Sequence, residues 1–108
     1  MKPEYTDIYK IKSSGQALSW YLIHSFLYYV EGESIISDDD WLQIGKWLKD
    51  DWDNFEHRHK HLVDINSITS TAFYIREYPS ITISTAYMIR RWHTNCIKRK
   101  KLAKKKKL

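Results

Sequence analysis

The chain has 108 residues, 43% hydrophobic and 29% charged, without a Pro- or Gly-rich low-complexity stretch and without an apolar run near the roughly 18 residues of a membrane span. One soluble domain with a single modest core follows, burying roughly 65% of the extended-chain surface, and a large enzyme is excluded. Net charge is +5, but eight of the eighteen basic residues (Lys98, Arg99, Lys100, Lys101, Lys104, Lys105, Lys106 and Lys107) fall in the last eleven positions, leaving ten basic against thirteen acidic residues in the body.

A mildly acidic body with a cationic tail is thus expected, residues 1–97 forming the domain and residues 98–108 the tail. So dense a run of like charges repels itself and is poor in apolar groups, which predicts disorder until an anionic partner orders it. Nucleic acid is the first such partner and an acidic membrane surface the second. Five Trp and eight Tyr must fill the core or stand exposed as a binding surface. The single cysteine, Cys96, precludes an intramolecular disulfide, and the first residues lack the apolar stretch and cleavage site of a secretory signal, so a reducing, cytoplasmic location is expected.

In chain order, residues 1–12, with Pro3, Tyr5, Ile8, Tyr9 and Ile11, read as an extended arm packed on the body. Ser13 and Gln16 have capping-box spacing, and Ala17, Leu18, Tyr21, Leu22, Ser25, Tyr28 and Tyr29 recur at three- and four-residue intervals, which predicts a helix over 14–30 ended by Gly32. Ser37 is placed to cap a second helix whose first turn carries Asp38, Asp39 and Asp40 at the positive end of the dipole, with Trp41, Ile44, Trp47 and Leu48 as its buried stripe. The acidic segment 50–54 can extend it through Trp52 and Phe55. The His-rich run 56–62 reads as a loop or short extended piece. Asn66 or Ser67 is expected to cap a third helix through Ile68, Ala72, Phe73, Ile75 and Arg76, stopped before Pro79. Ile81 and Ile83 alternate with Thr82 and Ser84 as in a strand, but Ala86, Met88, Ile89, Trp92 and Cys96 return to helical spacing, predicting a fourth helix from Ser80 or Ser84 to Lys101. The expected fold is all-α, a small bundle of about four helices with an irregular His-rich connection.

The stretch from Leu27 to Trp41, with Tyr28-Tyr29 ahead of Ile36-Ser37-Asp38, resembles the N-terminal helical subdomain of bacterial NAD-dependent DNA ligases over residues 14–55. There a Leu-Tyr-His/Tyr helix end is followed by an Ile/Val-Ser-Asp-x-Glu-Tyr-Asp motif, and the subdomain closes over the nicotinamide mononucleotide (NMN) half of NAD. The resemblance implies that Tyr28, Tyr29, Asp38 and Trp41 would contact that ligand, Tyr29 standing where the family has His, Trp41 where it has Tyr, and Leu42 where it has a second Asp. Short ligase-related proteins of phages and bacteria are similar as far as Leu62. Nothing in the sequence corresponds to the adenylation domain, the oligonucleotide-binding barrel or the C-terminal domains, so ligation by this chain alone is excluded. Read without the resemblance, the same residues serve helix packing and capping.

His57, His59 and His61 alternate, and on an extended segment their imidazoles would share one face able to gather a divalent metal or a phosphate. A tetrahedral metal site would need a fourth ligand, for which Asp64, His93 and Cys96 are the candidates; the plainer reading is a solvated connection with Arg58 and Lys60 opposite. Asp38, Asp39 and Asp40 point in different directions from a first helical turn and are read as capping residues rather than catalysts. Arg90, Arg91, Trp92, His93 and Lys98 combine positive charge with aromatic rings upstream of the lysine tail, a pattern suited to phosphate contact and base stacking.

Together these features lead to the expectation of a small non-enzymatic, nucleic-acid-associated accessory protein of a phage or other mobile element, acting in the host cytoplasm. Its ligase-subdomain-like body would carry the lysine-rich tail as a tether, and nucleic acid would be contacted by Arg90, Arg91, Lys98, Arg99, Lys100, Lys101 and the lysines at 104–107. Two alternatives stand beside it. One is an NAD- or NMN-binding module; the other is an interaction or inhibitory factor directed at a protein of host DNA metabolism or defence.

Overall fold

Helix α1, Ser14–Tyr29, is apolar on nearly every side: Ala17, Leu18, Trp20, Tyr21, Leu22, Ile23, Phe26 and Leu27 are all buried. A helix without a polar face has to be enclosed, and the rest of the chain encloses this one. The computed structural model describes residues 7–33, 35–70 and 74–106, with side chains through residue 94. Among them the α-helices are three, α1, α2 (Asp38–Asp50) and α3 (Ser80–Lys106), and there is no strand.

The caps fall where local chemistry puts them. Ser13 Oγ accepts from the Gln16 N–H at 3.2 Å, and the Gln16 side chain reaches back to the Lys12 N–H at 3.0 Å, one residue earlier than in a standard capping box. Ser37 Oγ accepts from the Asp40 N–H at 3.1 Å and so starts α2. Past the end of α1, Gly32 takes φ +69° and lets the Glu33 N–H close on the Leu27 carbonyl at 2.8 Å. The 50–54 segment leaves the helix at Asp51 and makes one 3-10 turn, Trp52–Asn54.

Two apolar clusters meet on α1. One joins Leu18, Tyr21 and Leu22 to Ile44 and Leu48 of α2, to Ile8 and Ile11 of the N-terminal arm, and to Val63, Ile68 and Ile75 of the long connection. The other joins Ile23, Phe26 and Leu27 to Ala86 and Ile89 of α3. Truncating a fully enclosed member such as Leu48 to Ala is expected to cost about 2–5 kcal/mol, from lost burial and the cavity left behind. The arm is held as expected from Ile8 onward, though residues 8–10 form a 3-10 turn rather than an extended piece; Pro3 and Tyr5 lie outside the described residues.

The third expected helix does not form over the described part of its span. Asp64 instead gathers the turn: its Oδ1 accepts from the Asn66 N–H, its carbonyl from the Ser67 N–H and its Oδ2 from the Ser67 hydroxyl, and the Ser70 N–H then returns to the Ser67 carbonyl. Asp and Ser side chains offer the backbone such local alternatives to a helix, and here they prevail. Ile68 and Ile75 are buried all the same, by irregular chain; Ala72 and Phe73 lie outside the described residues. The strand-like alternation of Ile81 and Ile83 is likewise absorbed into α3, which starts at Ser80 directly after Pro79. Its backbone stays helical to Lys106, beyond the Lys101 limit and into the segment expected to be disordered.

Candidate functional site

The chain reversal at Gly32 and the Ser37 cap set the end of α1 against the start of α2, and a pocket of about 220 Å³ opens between them. Tyr28, Tyr29, Asp38 and Trp41 all line it, so the four residues singled out in the sequence are brought together. Tyr28 is 50% exposed and meets Tyr29 edge-on, with ring centroids 4.8 Å apart. Trp41 lies nearly parallel to Tyr21, at 4.8 Å and 18°, so one indole face is already covered. The Trp41 Nε1–H is buried and has no hydrogen-bond partner among the described residues. Leu42 also lines the pocket and contributes an apolar wall.

Ile35, Ile36 and Ser37 of the connection line it too, as do His24 and Ser70, two polar residues that the sequence reading does not include. For His24 a signal existed, since it stands one helical turn before Tyr28 on α1. Ser70 arrives through the irregular connection, which local pattern does not reveal.

The histidine run divides. His57 and His59 sit with ring centroids 5.5 Å apart and line a second cleft of about 240 Å³, between α1 and the first turns of α3. His57 Nδ1 accepts from the His59 N–H at 3.0 Å, and its Nε2 lies 3.2 Å from Ser19 Oγ. In the neutral ring this assigns the proton to Nε2, which donates to Ser19; the imidazole therefore has no lone pair with which to activate that hydroxyl as a nucleophile. Burial, then the neighbouring His59 and Arg58, hold the His57 pKa below its ordinary value; burial, then Arg58 and His61, act on His59 in the same direction. His61 is exposed on a separate 3-10 turn, Lys60–Leu62. Among the described residues no group of three or more His, Cys, Asp or Glu is placed to hold a metal ion.

Lys60, expected on a solvated face, instead turns inward. Its ammonium donates to the carbonyls of Trp52 and Phe55 and sits 4.9 and 4.6 Å from their ring centroids. Asp64 makes a turn, as described above, and His93 lies half-buried on α3; the Cys96 side chain lies outside the described ones.

On α3, Arg90 Nη1 donates to Glu31 Oε2 at 2.7 Å and its guanidinium lies 5.5 Å from the Tyr87 ring, which ties it to the body. Tyr87 donates to the other Glu31 oxygen at 2.8 Å. Arg91 is exposed, and Trp92 is half-buried. Lys98, Arg99, Lys100, Lys101, Lys104, Lys105 and Lys106 follow on the same helical backbone, their side chains outside the described ones; Lys107 lies outside the described residues. No described helix is long and apolar enough to cross a membrane. No family model, curated protein or solved structure matches this chain.

Proposed function

We propose that this is a non-enzymatic accessory protein that binds nucleic acid through the basic end of α3, without reading sequence, while the helical body engages a second partner. The observation that carries the reading is the course of α3. Glu31–Arg90 is the last ion pair to the body among the described side chains, yet the helix runs on to Lys106 with seven of the eight terminal basic residues on its backbone. Positive charge presented on a helix beyond the core meets phosphates wherever they lie and carries no base-reading geometry. In this reading Arg91 and the lysines contact phosphate, and Arg90 anchors the helix that presents them. Deletion of residues 98–108 tests it: binding to duplex or single-stranded oligonucleotides is lost while the body stays folded. Binding retained by the truncated chain moves the interface onto the body.

A second reading is favoured by the pocket. Tyr28, Tyr29, Asp38 and Trp41 line one concave site, as the resemblance to the ligase subdomain implies for capture of NAD or its nicotinamide half. In this reading a flat ring lies against Tyr28 and the free side of Trp41, with Asp38 at the rim. Leu42 withholds the second carboxylate, so affinity is low. A phage or mobile-element source and a site of action in the host cytoplasm accompany either reading.

A further inference from the structure

The cleft between α1 and α3 has a chemistry that neither reading uses. Arg58, His57 and His59 line it, and no carboxylate does among the described residues; of its three hydroxyls, Thr85 donates to the Ile81 carbonyl at 2.7 Å and Ser19 to the Gly15 carbonyl at 3.4 Å, which leaves Thr82. Three cationic or potentially cationic groups without a counter-charge repel one another, which is why Arg58 contributes to the low imidazole pKa values. The same arrangement disfavours a metal cation: both His57 nitrogens already face protein groups, and the guanidinium stands beside them.

An anion relieves the repulsion. Thr82 is only 6% exposed, lines the cleft, and makes no side-chain hydrogen bond among the described residues. Thr82 also belongs to the first turn of α3, where the Ile83 N–H closes on the Pro79 carbonyl at 3.1 Å and the amides before it lack an intrahelical acceptor. Pro79 has no side-chain oxygen with which to cap them. A tetrahedral oxyanion in the cleft would receive the Thr82 hydroxyl, α3 amides, the guanidinium of Arg58 and the ring N–H of His59.

We propose that this cleft is a phosphate-binding site, built by Arg58, His59, Thr82 and the first turn of α3. It takes a phosphate monoester, whether on a free phosphorylated metabolite or at the end of a nucleic acid strand. The inference does not rest on the tail-mediated reading, because the cleft and the lysines lie on different parts of the chain.

The test titrates the full chain with inorganic phosphate at constant ionic strength, following the Ile81 and Thr82 amides and the His59 ring by NMR. Saturable shifts are expected at these groups. Arg58→Gln weakens binding by about tenfold or more and Thr82→Val by several-fold, as expected for loss of charge-assisted and neutral hydrogen bonds. A second arm compares 5′-phosphorylated with 5′-hydroxyl oligonucleotides. A phosphate-dependent gain in affinity that Arg58→Gln abolishes identifies a strand end as the source. Phosphate binding without that gain identifies a free metabolite. Absent shifts, or shifts equal in the wild type and in both variants, overturn the site. Arg58 is exposed and Thr82→Val preserves shape, so thermal melts of both variants separate lost binding from lost fold.

Discussion

The Tyr21 hydroxyl donates to the Ile68 carbonyl at 3.2 Å, across 47 residues of sequence, at a point where α2 presents only the backbone of Gly45. A Cβ at Gly45 would lie 2.7 Å from that same carbonyl oxygen. Burial, and then the Tyr74 hydroxyl at 3.2 Å, push the Tyr21 phenol far above its ordinary pKa, so it stays a neutral donor throughout the physiological range. Gly45→Ala therefore has to displace the 64–68 turn, and chemical denaturation is expected to register a loss of about 1–3 kcal/mol. Tyr21→Phe keeps the ring on Trp41 and loses only hydrogen bonds, for about 1 kcal/mol. Equal stability of Gly45→Ala and wild type would mean that the turn packs elsewhere.

A second stability test concerns the join between α1 and α2. The Ser14 hydroxyl accepts from Trp47 Nε1 at 3.0 Å and donates to Asp51 Oδ2, so one small side chain ties the start of α1 to the C-terminal end of α2. Ser14→Ala leaves the indole N–H and the carboxylate without this partner and is expected to cost about 1–3 kcal/mol in urea melts. A cost within 0.5 kcal/mol of zero, about what a surface change gives, would show that water replaces the hydroxyl.

Acid should weaken the fold through His57. Its folded pKa lies below the ordinary imidazole value of about 6.5, so below that pH the unfolded chain binds a proton that the folded chain resists. Stability is then fully present above about pH 7.5, declines as pH falls through about 6.5, and levels off once the folded His57 is itself protonated. Thermal melts of His57→Gln between pH 5 and 8 are expected to show a shallower decline than the wild type. Identical profiles would place the acid sensitivity elsewhere. His61→Ala, on an exposed turn, should shift stability by no more than about 0.5 kcal/mol.

Nucleic-acid binding by the tail is expected to be strongly salt-sensitive. With about six to eight phosphate contacts, affinity falls on the order of a thousandfold between about 50 and 200 mM salt. Fluorescence anisotropy across that range measures the slope. A flat profile would argue for a nonionic interface instead.

Binding of NAD or NMN in the pocket beside Trp41 is expected to be weak, because Leu42 replaces a charge-assisted contact worth about 1.5–3 kcal/mol. Leu42→Asp should tighten binding by roughly ten- to hundredfold in titration calorimetry, and Asp38→Ala should weaken it. No change with either variant would remove nicotinamide nucleotides as ligands.

Legibility in the sequence followed the range of the interactions. Ser13, Gln16 and Ser37 act on amides within four residues of themselves, and their spacing located both helix starts. The grouping of Tyr28, Tyr29, Asp38 and Trp41 came from the resemblance to the ligase subdomain rather than from periodicity, and the short connection between α1 and α2 brings the four to one pocket. Ile68 is buried as its apolar spacing predicts, but on a different backbone: the spacing suits a helix, while Asp64 holds the chain in turns and Tyr21 fixes it from a distance. Glu31–Arg90 and the Ser19–His57 contact join positions 59 and 38 residues apart, and no local period encodes them.

The central placement of α1 also gives the chain an order of assembly. α2 follows α1 after eight residues, whereas α3 begins fifty residues beyond the end of α1, so closing the second contact orders far more chain than closing the first. The α1–α2 pair is thus the natural nucleus and α3 the later arrival. Until α3 docks, Ile23, Phe26 and Leu27 lack their partners Ala86 and Ile89, and the half-assembled chain presents a sticky apolar face. A polyanion that holds the far end of α3 grips the element that covers this face.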